Sequence, residues 1–344
     1  MKANEEMSQF FVKHENYIEC TLCPHLCRIQ SGKTGICRVR KNTGEKIELS
    51  TYGVISGYAL DPVEKKPLYH FFPGYNILSA GSFGCNMRCD FCQNWHISQK
   101  SADSFSDRVE PDKLVNDALN AANNIGIAFT YNEPIVWFEF MRDVAVKVRE
   151  KGMFTVMVSN GYVNREPLGE IAAFIDAFNI DLKAFNDTFY RKLTGAGLEP
   201  VKESLKQIAA AGRHLEVTTL IIPGRNDDPA EMEAESKWIA GELGSGTPLH
   251  LSRYHPTYKR DDPSTPQASL DRLYEIASKH LKNVYMGNTH SSAGQDTRCP
   301  RCGTTVTERS GYSTRLIDLD QDGNCKNCGN PVYRHFTFPS EGGR

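Results

Sequence analysis

Gly84-Cys85-Asn86-Met87-Arg88-Cys89-Asp90-Phe91-Cys92 carries three cysteines spaced C-x3-C-x2-C. Thiolates are the usual ligands of a [4Fe–4S] cubane, which wants four donors. A loop offering three can hold three irons and leave the fourth to a small molecule. A buried structural thiol set and a three-cysteine zinc site are the competing readings of the same spacing.

Around this loop the chain has 344 residues and eleven cysteines, with a formal charge of −2. That length has room for one large domain and smaller modules. The near-neutral charge does not favour a nucleic-acid partner, since nucleic-acid readers carry a basic surplus. No run approaches the roughly 18 apolar residues that span a bilayer, and MKANEEMSQF has no signal-peptide core. A cytoplasmic location is therefore expected. The cysteines fall into groups of four, three and four. In a reducing compartment such clusters point to metals more readily than to disulfides.

From Ile77 onward, short apolar strands alternate with amphipathic segments. The expected pairs are strand 77–82 with helix 111–124, strand 125–130 with helix 134–150, and strand 153–158 with helix 165–175. Strand 178–182 with helix 201–211, strand 215–222 with helix 230–243, and strand 249–254 with helix 267–281 complete the series. A short extra strand is read at 284–286. Serial β/α units give a parallel sheet with helices outside. The fold class is therefore α/β, a partial (β/α)6 TIM barrel over residues 73–292. A Cys-rich module (1–72) and a four-cysteine ribbon (293–344) flank it, and both are expected to shape the barrel mouth.

Active sites of such barrels lie at the C-terminal strand ends. In Phe178-Asn179-Ile180-Asp181-Leu182-Lys183, period-two alternation puts Phe178, Ile180 and Leu182 on the helix side and Asn179, Asp181 and Lys183 in the lumen. Burying that carboxylate and ammonium requires partners, so either the lumen is polar or the two form a structural ion pair. His250, Ser252 and Tyr254 share a face by the same rule; His250 reads as a lumen residue or as a satisfied structural histidine.

The cluster loop, with aromatic Phe91 before its last cysteine, resembles that of the radical S-adenosylmethionine (SAM) enzymes. There the amino and carboxylate groups of SAM occupy the open iron, and reductive cleavage yields methionine and a 5′-deoxyadenosyl radical. Thr130-Tyr131-Asn132-Glu133-Pro134 resembles the Gly-Gly-Glu-Pro motif that receives the SAM amine, with Tyr131 and Asn132 in place of the glycines. Glu133 could equally cap the following helix. Ser159-Asn160-Gly161 is placed to bind ribose hydroxyls or the carboxylate, although Asn-Gly is also an ordinary turn. Asp181-Leu182-Lys183 resembles the Asp-Leu-Lys that lies beside SAM in the pyruvate formate-lyase activating branch. The resemblance thus implies that Phe91, Asn132, Glu133, Ser159, Asn160, Asp181, Lys183 and Thr218 contact SAM, and that Cys85, Cys89 and Cys92 bind the [4Fe–4S] cluster. Arg225 reads as an anion contact or as a solvated loop residue.

Two further cysteine groups remain. Cys299-x2-Cys302 and Cys325-x2-Cys328 form a zinc-ribbon pattern with no open ligand position, and iron competes with zinc there. Cys20, Cys23, Cys27 and Cys37 are spaced irregularly; zinc, an auxiliary Fe–S cluster and uncoordinated thiols are all open, and His25 could replace one sulfur. Together with Cys-Thr-Leu-Cys-Pro-His-Leu-Cys at 20–27, these motifs resemble the radical SAM enzymes of the AmmeMemoRadiSam system across nearly the whole chain. That resemblance implies partnership with the other two proteins of the system and a low-potential electron donor such as a ferredoxin or flavodoxin. The leading expectation is a small-molecule substrate, nucleobase-like in class. The alternatives are an activase forming a glycyl radical on a partner protein, and a zinc-dependent interaction or RNA-contacting module without SAM turnover.

Overall fold

The computed structural model describes residues 10–101, 108–289, 291 and 293–338. The outer ends of the two expected flanking modules, 1–9 and 339–344, lie outside the described residues. The central sheet has eight strands: β1 (Gly57–Pro62), β2 (Asn76–Gly81), β3 (Asn124–Phe129), β4 (Phe154–Ser159), β5 (Ala177–Asp181), β6 (His214–Ile221), β7 (Leu249–Arg253) and β8 (Val284–Gly287). Their spatial order follows the chain from β1 to β8. β2 to β8 run parallel and β1 is antiparallel to β2. The chain is thus α/β with a mostly parallel sheet, as the alternation of apolar periods requires.

Helices α1 (Pro111–Asn120), α2 (Phe138–Glu150), α3 (Arg165–Ala172), α4 (Leu198–Ala210), α5 (Pro229–Ile239) and α6 (Gln267–Ala277) connect the strands. Their starts are chemically marked: the Asp228 carboxylate accepts from the N–H groups of Ala230 and Glu231, and Pro229 opens α5. α1 stops four residues short of the expected Asn124, because Asn123 turns into the left-handed region at φ 53° and Asn124 already belongs to β3. β1 reads by sequence as part of the N-terminal module. Its inward face is small, and a Cβ on Gly57 would lie 2.9 Å from the Tyr131 ring.

The N-terminal ends of the strands are closed from below. Residues 63–75 run under the sheet, and Phe71 and Phe72 pack with Ile77, Ile125 and Ala177, which stand at strand starts. Above them Glu216, fully buried, accepts from the backbone N–H of His70 (2.7 Å) and Tyr69 (3.0 Å) and pairs with His214 (2.9 Å) and His250 (2.6 Å). His250 is therefore a satisfied structural residue. The tail docks on the same end: Phe72 N–H donates to His335 O (2.9 Å), Arg309 donates to Tyr69 O (2.9 Å), and the Tyr285 hydroxyl meets Thr297 (2.9 Å). The four-cysteine ribbon thus covers the bottom of the sheet and does not shape the mouth. Its sequence position after the last strand carried no information about which end it would cap.

This buried bottom makes stability acid-sensitive. Burial holds the His70 imidazole down at about 3, so it is neutral in the fold. Burial would raise Glu216, but His214 and His250 hold it well below the ordinary carboxylate range. A histidine depressed in the fold contributes stability fully above its unfolded value, near 6.5, and loses it as pH falls toward the folded value. Glu216 likewise contributes above about 4.5 and loses its contribution at lower pH. Urea melts at pH 7.5 and pH 5 are expected to differ by roughly 2 kcal/mol from His70 alone; equal stabilities contradict the network.

Candidate active site

The C-x3-C-x2-C loop sits at the opposite end, beyond the C-terminus of β2. Backbone and side chains hold it from several sides. Asn132 accepts from Ser82 N–H (2.9 Å) and donates to Phe83 O (3.1 Å) and Gly84 O (3.0 Å). Asn86 donates to Tyr162 O (2.6 Å), and Gln99 donates to Met87 O (3.2 Å). Arg88 N–H donates to Thr194 O (2.8 Å), and the Asp90 carboxylate pairs with Arg260 (3.0 Å). Such a loop keeps one shape whatever it binds, which is what a preorganised ligand set needs.

The sulfurs themselves receive weak donors. Met87 N–H lies 3.3 Å from Cys85 Sγ, Asn160 Nδ2 lies 3.6 Å from it, and Ser98 Oγ lies 3.3 Å from Cys92 Sγ. Burial pushes the Cys89 thiol up to about 12. It also raises Cys85 well above its ordinary value, with Glu133 adding to the effect. Buried thiols of this kind become thiolates only against a compensating metal charge.

Glu133 joins β3 to β4. Its carboxylate accepts from Ile135 N–H (3.0 Å), Ser159 Oγ (2.7 Å) and Asn160 N–H (2.8 Å), and burial raises it to about 7. At the end of β5, Lys183 pairs with Asp181 at 3.0 Å. Burial pulls the ammonium down, but Asp181 and Cys89 more than offset it, so it stays charged beside the cluster loop.

The Radical SAM superfamily profile matches residues 81–235 of this chain. The uncharacterized protein MJ0808 of Methanocaldococcus jannaschii is 42% identical over 322 residues, which is 92% of this chain and 96% of that protein. The chain belongs to the radical SAM superfamily. The pyruvate formate-lyase 1-activating enzyme of Escherichia coli is 25% identical over 177 residues, covering 50% of this chain and 71% of that enzyme. A radical SAM methyltransferase from Sphaerobacter thermophilus shares the fold with a TM-score of 0.51 at 16% identity, over 65% of this chain and 71% of that structure.

As a radical SAM protein the chain is an enzyme, and the family implies SAM and an iron–sulfur cluster. The loop's donor set fits that cluster. Among the described residues only Cys299, Cys302, Cys325 and Cys328 bring three or more ligand atoms within 4.8 Å of one another. Cys85, Cys89 and Cys92 offer three thiolates, one fewer than a closed four-sulfur site uses, which suits a cubane whose fourth iron is left to another ligand. The tail is the converse case: Cys299–Cys328 and Cys302–Cys325 are each 3.6 Å apart, which suits one zinc or one iron.

The residues expected to touch SAM divide into two sets. Asn132, Glu133, Ser159 and Asn160 come together, but as a network that ties the loop to the strand ends. Asn160 also donates to Asn86 (2.9 Å) and accepts from Tyr162 N–H (2.8 Å). Three hydrogen bonds on Glu133 include the helix cap weighed from sequence and leave one lone-pair position of a carboxylate's four. Thr218, buried level with Asp181, donates to Asn179 (2.9 Å). The Phe91 ring is buried against Phe189 at 5.7 Å. Asp181 and Lys183, with side chains 36% and 15% exposed, remain the reachable charged pair. Arg225 pairs with Asp262 at 3.2 Å.

Sequence reasoning missed Tyr131 and Asn86. Tyr131 takes φ 74°, a glycine-like conformation, and its ring runs along Gly57 and Gly81 to place its hydroxyl 2.7 Å from Asp61. Asp61 also pairs with the buried Lys66 at 2.6 Å. The departure from the family's glycine was the available signal. Asn86 is marked only by lying next to Cys85.

Lys183→Met removes a cation beside Cys89 while keeping the side chain's length. A cluster held by Cys89 is expected to show a more negative midpoint potential in an anaerobic titration, because net charge near the core sets that potential. An unchanged potential contradicts the placement of Lys183.

Proposed function

We propose that this enzyme cleaves SAM reductively at a [4Fe–4S] cluster held by Cys85, Cys89 and Cys92, and acts on a small, nucleobase-like molecule. One observation carries the reading: a three-thiol loop faces a charged Asp181–Lys183 pair at the C-terminal strand ends, over a lumen already filled from below. When bound, the cluster supplies a low-potential electron that splits the sulfonium S–C5′ bond and frees a 5′-deoxyadenosyl radical.

The chain's own groups bind and orient. Lys183 is a donor for the SAM carboxylate, Asp181 an acceptor for its amine or hydroxyls, and Glu133 keeps one acceptor position on the loop side. Asn132 and Asn160 act as positioning residues, fixing the loop backbone and the Cys85 sulfur. Asn179 and Thr218, joined at 2.9 Å, form part of a floor with Tyr131, Asp61 and Lys66. A substrate is therefore met at the strand ends, beside the Asp181–Lys183 pair. No helix among the described residues is long and apolar enough to cross a membrane.

The spread of the motifs over the whole length supports placement in the AmmeMemoRadiSam branch. That placement brings the system's other two proteins and a ferredoxin or flavodoxin as partners, a partial (β/α)6 barrel as architecture, and the cytoplasm as location. The activase reading has its own support in the Escherichia coli activating enzyme. Deuterated small molecules separate the two: transfer of deuterium into 5′-deoxyadenosine supports the small substrate. A glycyl radical EPR doublet on a partner polypeptide, with no transfer from any small molecule, overturns it.

A further inference from the structure

Behind the strand ends, on the side of the sheet that packs against the helices, lies a carboxyl group the reaction does not use. Oε1 of Glu235, on α5, stands 2.5 Å from the hydroxyl of Thr219 on β6. The same hydroxyl stands 2.9 Å from Leu182 O, and all three residues are buried. If the carboxyl is ionised, Leu182 O and Glu235 Oε1 are both acceptors, and a hydroxyl has one proton to give. One of the two contacts would then be an oxygen–oxygen pair with no hydrogen between. A proton on Glu235 removes the conflict: the carboxyl donates to Thr219, and Thr219 donates to Leu182 O.

The surroundings favour the same state. Burial penalises the charged form of a carboxyl that no cation compensates. Among the described residues no cation of β5, β6 or α6 pairs with Glu235; the ionisable groups that act on it are Glu231, one turn earlier on α5, and Tyr190. The Glu231 carboxylate accepts from Phe185 N–H (2.8 Å) and Asn186 Nδ2 (2.6 Å), so its charge repels a second one nearby. Burial, with Glu231 adding to it, outweighs the Thr219 contact and pushes the Glu235 carboxyl up to about 8.

Leu182 is the residue between Asp181 and Lys183. Its carbonyl is one of three points at which side chains clasp this strand end: Lys183 N–H donates to the Tyr190 hydroxyl (3.0 Å), and Asn226 donates to Lys183 O (2.7 Å). The Thr219 contact is the one that depends on a titrating proton. We infer that Glu235 is a positioning residue that works protonated: through Thr219 it holds the Leu182 peptide, and with it the Asp181–Lys183 pair, in the setting that receives SAM. The proton follows from hydrogen-bond geometry and burial; its effect on SAM rests on the proposed function. Ionisation draws the Thr219 proton to the carboxylate and frees Leu182 O, so SAM binding weakens as pH rises through about 8.

Glu235→Gln tests both parts. The amide keeps a donor in place of the carboxyl O–H and cannot ionise. A carboxyl raised in the fold contributes stability fully below its unfolded value, near 4.5, and loses it as pH rises toward the folded value. The glutamine variant escapes that loss. Its urea midpoint relative to the unaltered chain should therefore rise between pH 5 and pH 9, with contributions from other groups cancelling in the comparison. A difference that stays flat or falls overturns the proton. For the positioning role, both chains are reconstituted anaerobically and titrated with SAM. From pH 7 to pH 9 the unaltered chain should lose about tenfold more affinity than the variant, because about one molecule in ten keeps the proton at the higher pH. Equal losses overturn the positioning role. No SAM binding by either chain at either pH refutes the proposed function instead, and the urea comparison still decides the proton.

Discussion

Glu216→Ala is expected to destabilise the fold by about 4 kcal/mol or more and to lower the melting temperature by roughly 5 °C or more. The carboxylate is fully buried and serves four donors: the N–H groups of Tyr69 and His70 and the rings of His214 and His250. Alanine leaves all four in place with nothing to accept from them, and each orphaned buried donor costs about 1–3 kcal/mol. The damage reaches beyond β6, because Tyr69 and His70 also carry the tail through Arg309 and Tyr285. Glu216→Gln keeps an oxygen acceptor and should fall between the two. Thermal melts of the three proteins check this; a loss below about 1 kcal/mol for alanine would mean the bottom network is not holding the ribbon to the sheet.

Gly84→Ala is the second large effect, and it acts at the other end. Gly84 has φ 85°, where a Cβ is strained, and that Cβ would meet Cys37 O at 2.6 Å and Val39 Cγ1 at 2.7 Å. Neither neighbour is the tip of a flexible side chain, so the loop or the N-terminal module must shift. Backbone strain of about 1–2 kcal/mol and overpacking of about 1–3 kcal/mol add to a loss of several kcal/mol. The loop that displaces also carries Cys85, so iron uptake at the central site should fall as well as the melting point. Normal iron content in this variant would contradict the tight seating of the loop on the module.

The parts of this account visible in the sequence are local ones. Alternating apolar periods place β2 to β7 and their helices to within a few residues, and the extra strand read at 284–286 is present as Val284–Gly287. The three loop cysteines and the tail knuckles are likewise spacing signals, readable without a fold. What stayed hidden depends on contacts far apart in the chain. Arg309 reaches Tyr69 across 240 positions, and no periodicity in the tail says that it will lie under the strand starts. Asn132, Glu133, Ser159 and Asn160 were recognised as site positions, but their motif context could not say that the side chains would face one another and the loop backbone. β1 escaped notice because its inward Gly57 carries no side chain, leaving room for the Tyr131 ring, and Tyr131 reaches it only by adopting a conformation that residue type rarely takes.

The central claim is that three thiolates hold an iron–sulfur core whose open corner takes SAM. Its most direct test is the yield of 5′-deoxyadenosine and methionine from SAM by the anaerobically reconstituted, reduced full-length chain. The two products should appear in equal amounts and vanish in Cys85→Ala, which removes one of the three ligands. No product from the unaltered chain, or the same amount from the Cys85→Ala variant, would contradict the account.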